Sequence, residues 1–194
     1  ARAEKKYIML IFQGICTGLS LVSAWASGSL QKQAWIWLFI ASACNALLYY
    51  SVARYGHMVL DLIYMGCSLW GFALWAENEK ITYRISRKEA LVWLFLAILG
   101  TTIGTSMLST TFSQDPFIDS LSLVTGVIGV FMMALRRLEQ WGIWIVHDLF
   151  NVILSMRSGL YLIAAKQGLY LILAIRGYRI WKKNLKSPEF YCKS

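Results

Sequence analysis

The sequence predicts an all-α membrane protein with seven transmembrane helices, and three observations carry that prediction. Of the 194 residues 58% are hydrophobic and only 15% charged. The charges also avoid long stretches: between Tyr7 and Ala53 the only one is Lys32, and between Ala90 and Leu135 only Asp115 and Asp119 occur. Finally, seven crossings at about 20 residues each consume roughly 140 residues and leave short loops. A water-soluble chain of this length could not spread polar surface over such stretches. The same composition excludes disorder, a collagen-like chain and a disulfide-framed mini-protein.

Seven apolar spans are expected at about 7–28, 34–53, 57–76, 89–108, 117–135, 141–157 and 159–181, with Pro116 and Pro188 outside all of them. Residues three, four or seven apart share a helix face, and most spans carry one polar or aromatic stripe. Span one offers Gln13, Thr17 and Ser20; span two offers Trp35, Ser42, Asn45 and Tyr49. Span three carries Asp61, Tyr64, Ser68, Gly71 and Trp75. Span four has no such stripe but holds Gly100 and Gly104 in a GxxxG arrangement, read as close helix packing rather than chemistry. Span five begins with Asp119 and Ser122, span six aligns Trp141, Trp144, Asp148 and Asn151, and span seven aligns Gln167, Tyr170, Gly177 and Trp181.

The net charge of +9 would point to nucleic acid in a soluble chain. Here Lys and Arg collect in loops and in the C-terminal tail, where they read as topology signals instead. One set of loops (Lys32; Lys80, Arg84, Arg87 and Lys88; Arg136 and Arg137; the tail from Arg179) holds twelve basic residues, against five on the other side. That asymmetry predicts a cytoplasmic C-terminus and an N-terminus outside. The basic Arg2, Lys5 and Lys6 run against this count, and a helix preceding residue 1 would help hold them outside. Cys16, Cys44, Cys67 and Cys192 show no metal-ligand or disulfide spacing, and three lie in apolar runs, so they read as small core residues.

An internal repeat organises the chain. At an offset of 106, segment 35–75 lies on 141–181 without a gap: Trp35 meets Trp141, Asn45 meets Asn151, Tyr55 meets Tyr161, Tyr64 meets Tyr170, Gly71 meets Gly177 and Trp75 meets Trp181. Upstream, LeuSerLeuVal at 19–22 recurs at 121–124, an offset of 102, which implies that the linker between the first two helices differs in length between halves. Four crossings separate corresponding helices, so the repeats run parallel, as in transporters whose substrate sits near the midplane where the halves meet. The expected organisation is a first three-helix repeat in 1–80, a loop with linker helix four in 81–110, and a second repeat with a basic tail in 111–194.

Ionisable groups at membrane depth are costly, about 2.5–3.5 kcal/mol on insertion scales, and point to function. Asp61 and Asp148 lie deepest, while Asp119 is near a helix end, where capping or water also explains it. His147 reads as a helix contact or a proton relay, and Lys166 as a snorkelling cation or a partner of Asp148 or Asp119. Trp25, Trp75 and Trp181, near helix ends, are expected as interfacial anchors; Trp35 and Trp141 divide between anchoring and ligand contact, and the deeper Trp144 and Asp148 lean to the ligand. A cavity lined this way suits a flat heteroaromatic ring bearing a polyhydroxyl group, with carboxylates favouring a cation.

The run ArgArgLeuGluGlnTrpGlyIleTrp from Arg136 to Trp144, ArgGlyTyrArgIleTrp from Arg176 to Trp181, AspSer at 119–120, LeuTyr at 160–161, TyrGlyHis at 55–57, Tyr64 and TrpGlyPheAlaLeuTrp from Trp70 to Trp75 together resemble the PnuC family of bacterial vitamin transporters, over nearly all of residues 10–183. The resemblance implies a full-length relative of the SWEET fold, a 3+1+3 parallel repeat. It also implies a homotrimer in the bacterial inner membrane that moves nicotinamide riboside by facilitated diffusion, with a separate cytosolic kinase trapping the product. No ATP motif of the GxxxxGK[ST] type is present, which fits this arrangement. Many members of that family carry Asn where this chain has Asp148, and Gln is the more usual residue at Asp61; both changes place a carboxylate at a lining position.

The expected function is therefore uptake of nicotinamide riboside, with no cofactor, no metal, no enzyme activity and no nucleic-acid partner. Its ligand contacts are expected to be Trp144, Asp148, Asn151, Asn45, Asp61 and Gln167, joined by Trp35, Trp141, Tyr64, Tyr170, Gln13 and Asp119. Competing readings are the same fold carrying thiamine or another vitamin, proton coupling through Asp148 or His147, a non-transporting scaffold, and an intramembrane enzyme built on Asp61 and Asp148. The enzyme reading lacks any GxGD, HExxH or GxSxG signature.

Overall fold

The computed structural model describes residues 2–51, 55–75, 80–109, 116–157 and 161–185. Seven helices form there: α1 (Arg2–Gly28), α2 (Ala34–Ser51), α3 (Tyr55–Leu74), α4 (Arg87–Leu108), α5 (Pro116–Ala134), α6 (Gln140–Arg157) and α7 (Tyr161–Lys183). All seven expected spans are helices, displaced by two residues or fewer at most ends. Among the described residues the stretches Leu10–Gly28, Ala34–Ser51, Arg87–Leu108 and Pro116–Ala134 are long and apolar enough to cross a membrane, and Met58–Leu74 is a shorter apolar helix. α6 and α7 stand apart because their polar residues, among them Gln140, His147, Asp148, Lys166, Gln167 and Arg176, dilute the apolar run.

The chain divides into two compact units, Ala1–Asn78 with α1 to α3 and Glu79–Ser194 with α4 to α7. In the first unit α2 packs on both α1 and α3; in the second, α4 packs on α5, α5 on α6 and α6 on α7. Much apolar surface faces outward: on α4, Leu91, Phe95, Ile98 and Met107 are all about two-thirds exposed. In water that surface would be a liability, whereas lipid matches it.

The α1–α2 turn of the first unit and the α5–α6 turn of the second close in the same way. Leu30 has φ 55° and Arg136 φ 54°, the left-handed region that side chains avoid. The Leu30 and Gln31 amides donate to the carbonyls of Ser27 and Ala26, and 106 residues later the Arg136 and Arg137 amides donate to those of Met133 and Met132. Each is a Schellman motif that satisfies the last carbonyls of its helix. The turns continue in step, with Ala34 and Trp35 donating to Gln31 and Lys32, and Gln140 and Trp141 to Arg137 and Leu138. The offset of 106 therefore runs unbroken from the end of the first helix, and the expected difference in linker length is overturned. The LeuSerLeuVal recurrence at 102 is a chance match between apolar helices, and the unbroken register instead aligns Gln13 with Asp119.

The end of the second unit that carries the basic loops is stitched together by backbone. Tyr83 donates its amide to Arg136 O at 2.9 Å, Leu138 donates to Tyr83 O at 2.9 Å, and Thr82 donates to Asn184 O at 3.1 Å. Thr82, fully buried, adds a hydroxyl bond to Trp181 O at 2.8 Å. Ser86 then starts α4 with a capping box: its hydroxyl accepts from the Glu89 amide, and the Glu89 carboxylate accepts from the Ser86 amide. Arg137 pairs with the same Glu89.

The GxxxG of α4 is a packing device, as expected. A methyl group on Gly100 would lie 3.1 Å from Val124, and one on Gly104 would collide with the Ser120 hydroxyl. With no side chain at either position α5 approaches closely enough for Ser120 Oγ to donate to Thr101 O across the helices at 2.9 Å.

Candidate functional site

Each unit contains the same aromatic joint between its second and third repeat helices. In the first, the Trp35 indole on α2 lies over Gly71 of α3, where a Cβ would fall 2.5 Å from the ring, and meets Trp75 edge-to-face with centroids 5.4 Å apart. In the second, Trp141 lies over Gly177 at the same 2.5 Å and meets Trp181 at 5.6 Å. All four indoles are buried, none more than 4% exposed. Trp75 and Trp181, expected as interfacial anchors, are thus internal packing groups. Each glycine removes the side chain that would block a ring, so indole edge and indole face meet inside the unit. Trp25, the third expected anchor, is 46% exposed and does sit at a surface.

The joints set the register of the polar stripes that run away from them. On α6, Trp144 is half-buried, Asp148 is buried and Asn151 is half-buried. The Asn151 amide nitrogen donates to His147 O of the preceding turn at 2.8 Å. On α7, Gln167 and Tyr170 are half-buried. Lys166 projects its ammonium 5.9 Å from the centroid of the Tyr170 ring. Asp119 lies on α5 with its side chain outside the described residues.

In the first unit Asp61 on α3 is buried, beside half-buried Tyr64, whose carbonyl accepts from Ser68 at 2.6 Å. Asn45 on α2 reaches the Ser20 hydroxyl of α1 at 3.5 Å. Gln13 is exposed on α1. The 106-residue register pairs Asp61 with Gln167 and Asp148 with Ser42. The stripes of the two units therefore occupy equivalent positions but carry their acids on different helices, α3 in the first unit and α5 and α6 in the second.

The structure adds groups that the stripe pattern left out. Gln140, fully buried at the first turn of α6, accepts from Trp144 Nε1 at 3.2 Å. His147 meets the Trp144 ring edge-to-face at 5.8 Å, and its Nδ1 lies 3.4 Å from Thr125 Oγ1 on α5, which makes it a helix contact. Gly129 of α5 takes the face of Trp144, where a Cβ would lie 2.8 Å from the ring. The four-residue step from Gln140 to Trp144 was available as a signal, but polar groups that bond within one helix face look like any other polar residue in sequence. Among the described residues no cluster of three or more metal-ligating side chains occurs.

An aromatic face backed by a carboxylate and an amide on one stripe can stack on a planar ring and bond its polar substituents. The family model described as nicotinamide mononucleotide transporter matches residues 10–183. The chain is similar to the nicotinamide riboside transporter PnuC of Neisseria mucosa, 27% identical over 126 residues that cover 59% of this chain and 48% of that protein. It is similar also to the nicotinamide riboside transporter PnuC of Escherichia coli K12, 18% identical over 167 residues and 70% of each chain. The matched region thus spans about half the length of the Neisseria relative. Among solved structures, the fold resembles a crystal structure of the vitamin B3 transporter PnuC, with TM-score 0.69 and 21% identity over 91% of this chain and 89% of that one.

Proposed function

Because the chain belongs to the nicotinamide mononucleotide transporter family, we propose that it is a multi-pass bacterial inner-membrane protein that carries nicotinamide riboside by facilitated diffusion. The observation that carries this reading is the α6 stripe, where half-buried Trp144 stands one turn from buried Asp148, followed by Asn151. In this reading Trp144 stacks on the nicotinamide ring, Asp148 offsets its positive charge, and Asn151, Gln167 and Tyr170 bond the ribose hydroxyls. Asn45, Asp61, Tyr64 and Gln13 serve the substrate from the first repeat, as does Asp119 from α5. Trp35 and Trp141 act as scaffold, holding the helices that present these groups.

The same reading places the N-terminus outside and the C-terminus in the cytoplasm, on the basic-residue asymmetry. It arranges the helices as a 3+1+3 parallel repeat with α4 as linker, and includes a homotrimer and a cytosolic kinase that traps the product. The duplicated turns and joints support the parallel repeat, since each recurs at one offset.

Uptake of labelled nicotinamide riboside into proteoliposomes tests the function. The expected result is saturable, gradient-driven uptake that is indifferent to an imposed pH gradient and lost in Asp148→Ala. Thiamine uptake in its place would overturn the substrate and make Asp61 and Asp148 its explanation. Dependence on the pH gradient would overturn facilitated diffusion, and absence of saturable binding by folded protein would overturn transport.

A further inference from the structure

The 106-residue repeat separates what is duplicated from what is not. The Trp–Gly–Trp joints occur twice. The surroundings of Trp144 occur once: Gln140, Trp144, His147 and Gly129 correspond to Ala34, Leu38, Ala41 and Ser23, none of which can repeat the arrangement. A constellation that a duplicated scaffold does not need has a reason outside the scaffold.

That constellation fixes the indole from three directions. Gly129 opens a seat under the ring, and a methyl group there would lie 2.8 Å from Cε2 and Cζ2. His147 stands against it edge-to-face at 5.8 Å and 86°, itself 3.4 Å from Thr125 one turn before Gly129 on α5. Gln140 then sets the in-plane rotation by accepting from Trp144 Nε1 at 3.2 Å. An indole nitrogen only donates, so the amide of Gln140 must present its oxygen. The consequence is a cost: Gln140 Nε2 is buried with no hydrogen-bond partner among the described residues, where a buried unsatisfied donor is normally selected against.

We propose that Gln140, acting with Gly129 and His147, is a positioning residue that sets the Trp144 indole for stacking on the substrate ring. The unsatisfied Gln140 donor is the cost of keeping its oxygen on the indole. Stacking depends on ring attitude, so a freely rotating Trp144 would present its face only part of the time, and affinity would fall by that fraction. The inference rests on the reading of Trp144 as a substrate contact.

Calorimetric titration of the detergent-purified full chain with nicotinamide riboside tests it, using Gln140→Leu, Gly129→Ala, Trp144→Phe, Trp144→Ala and the double variant Gln140→Leu/Trp144→Phe. Gln140→Leu, which removes one hydrogen bond, and Gly129→Ala, which pushes the ring off its seat, are each expected to raise Kd by about fivefold to tenfold. In the Trp144→Phe background, which has no Nε1, Gln140→Leu is expected to add nothing. A merely structural residue would weaken binding equally in both backgrounds, and that result overturns the proposal. So does wild-type affinity in folded Gln140→Leu while Trp144→Ala binds weakly. If Gln140→Leu is not recovered folded, Gly129→Ala decides: wild-type affinity there overturns the positioning of the ring. Wild-type affinity in Trp144→Ala would instead overturn the substrate reading beneath it.

Discussion

The indole of Trp141 lies over Gly177 so closely that a methyl group on the glycine would sit 2.5 Å from the ring, and Trp35 stands in the same relation to Gly71. This contact joins the second and third helices of each repeat, and the edge-to-face partners Trp181 and Trp75 complete it.

Substituting either glycine should therefore destabilise its unit. Overpacking costs about 1–3 kcal/mol, so Gly71→Ala and Gly177→Ala should each lower the thermal unfolding midpoint of the detergent-solubilised protein. Gly66→Ala and Gly168→Ala are the controls, because a methyl group at those positions meets nothing within 4 Å. Equal midpoints in all four variants would show that the joint yields without cost.

The two glycines of α4 should respond unequally. Gly104→Ala should destabilise more than Gly100→Ala, because the methyl group collides with the Ser120 hydroxyl, which is held by its bond to Thr101 O. At Gly100 the neighbour is a Val124 methyl at 3.1 Å, which has no hydrogen bond to lose. Adding Ser120→Ala to Gly104→Ala should recover stability; further loss in the double variant would show that the hydrogen bond outweighs the collision.

Asp148 on α6 and Lys166 on α7 carry opposite charges on helices that pack together, and an uncompensated charge at membrane depth costs about 2.5–3.5 kcal/mol on insertion scales. The yield of monodisperse protein should fall in Asp148→Asn and recover in Asp148→Asn/Lys166→Met. A double variant no better than the single one would show that the two charges are independent.

Glu89 has two tasks, one in the capping box and one toward Arg137. Glu89→Gln keeps the cap and loses the ion pair. Because the carboxylate is more than a third exposed, the loss should be under about 1 kcal/mol. Ser86→Ala, which removes the capping hydroxyl, should cost about 1 kcal/mol. Denaturant or thermal titration of the two variants checks the order, and a larger effect from Glu89→Gln would make the ion pair the main tie of that loop.

The helices, their lengths and the duplication of segment 35–75 are legible in the chain before it folds, because apolar spans of membrane length and rare Trp, Asn and Gly matches are long-range patterns of residue order alone. The α6 stripe is legible there too, since three- and four-residue steps force side chains onto one face. Which aromatics on those stripes are walled in depends on the packing between helices. Trp141 and Trp144 share one helix stripe in sequence, yet one is sealed against Gly177 and the other is half-buried over Gly129, because burial depends on what a neighbouring helix lacks. The register of the first helix was decided in the same way. A cheap tetrapeptide match pointed to 102, whereas the left-handed Leu30 and Arg136 set 106 through backbone hydrogen bonds that no Gly or Asn announces.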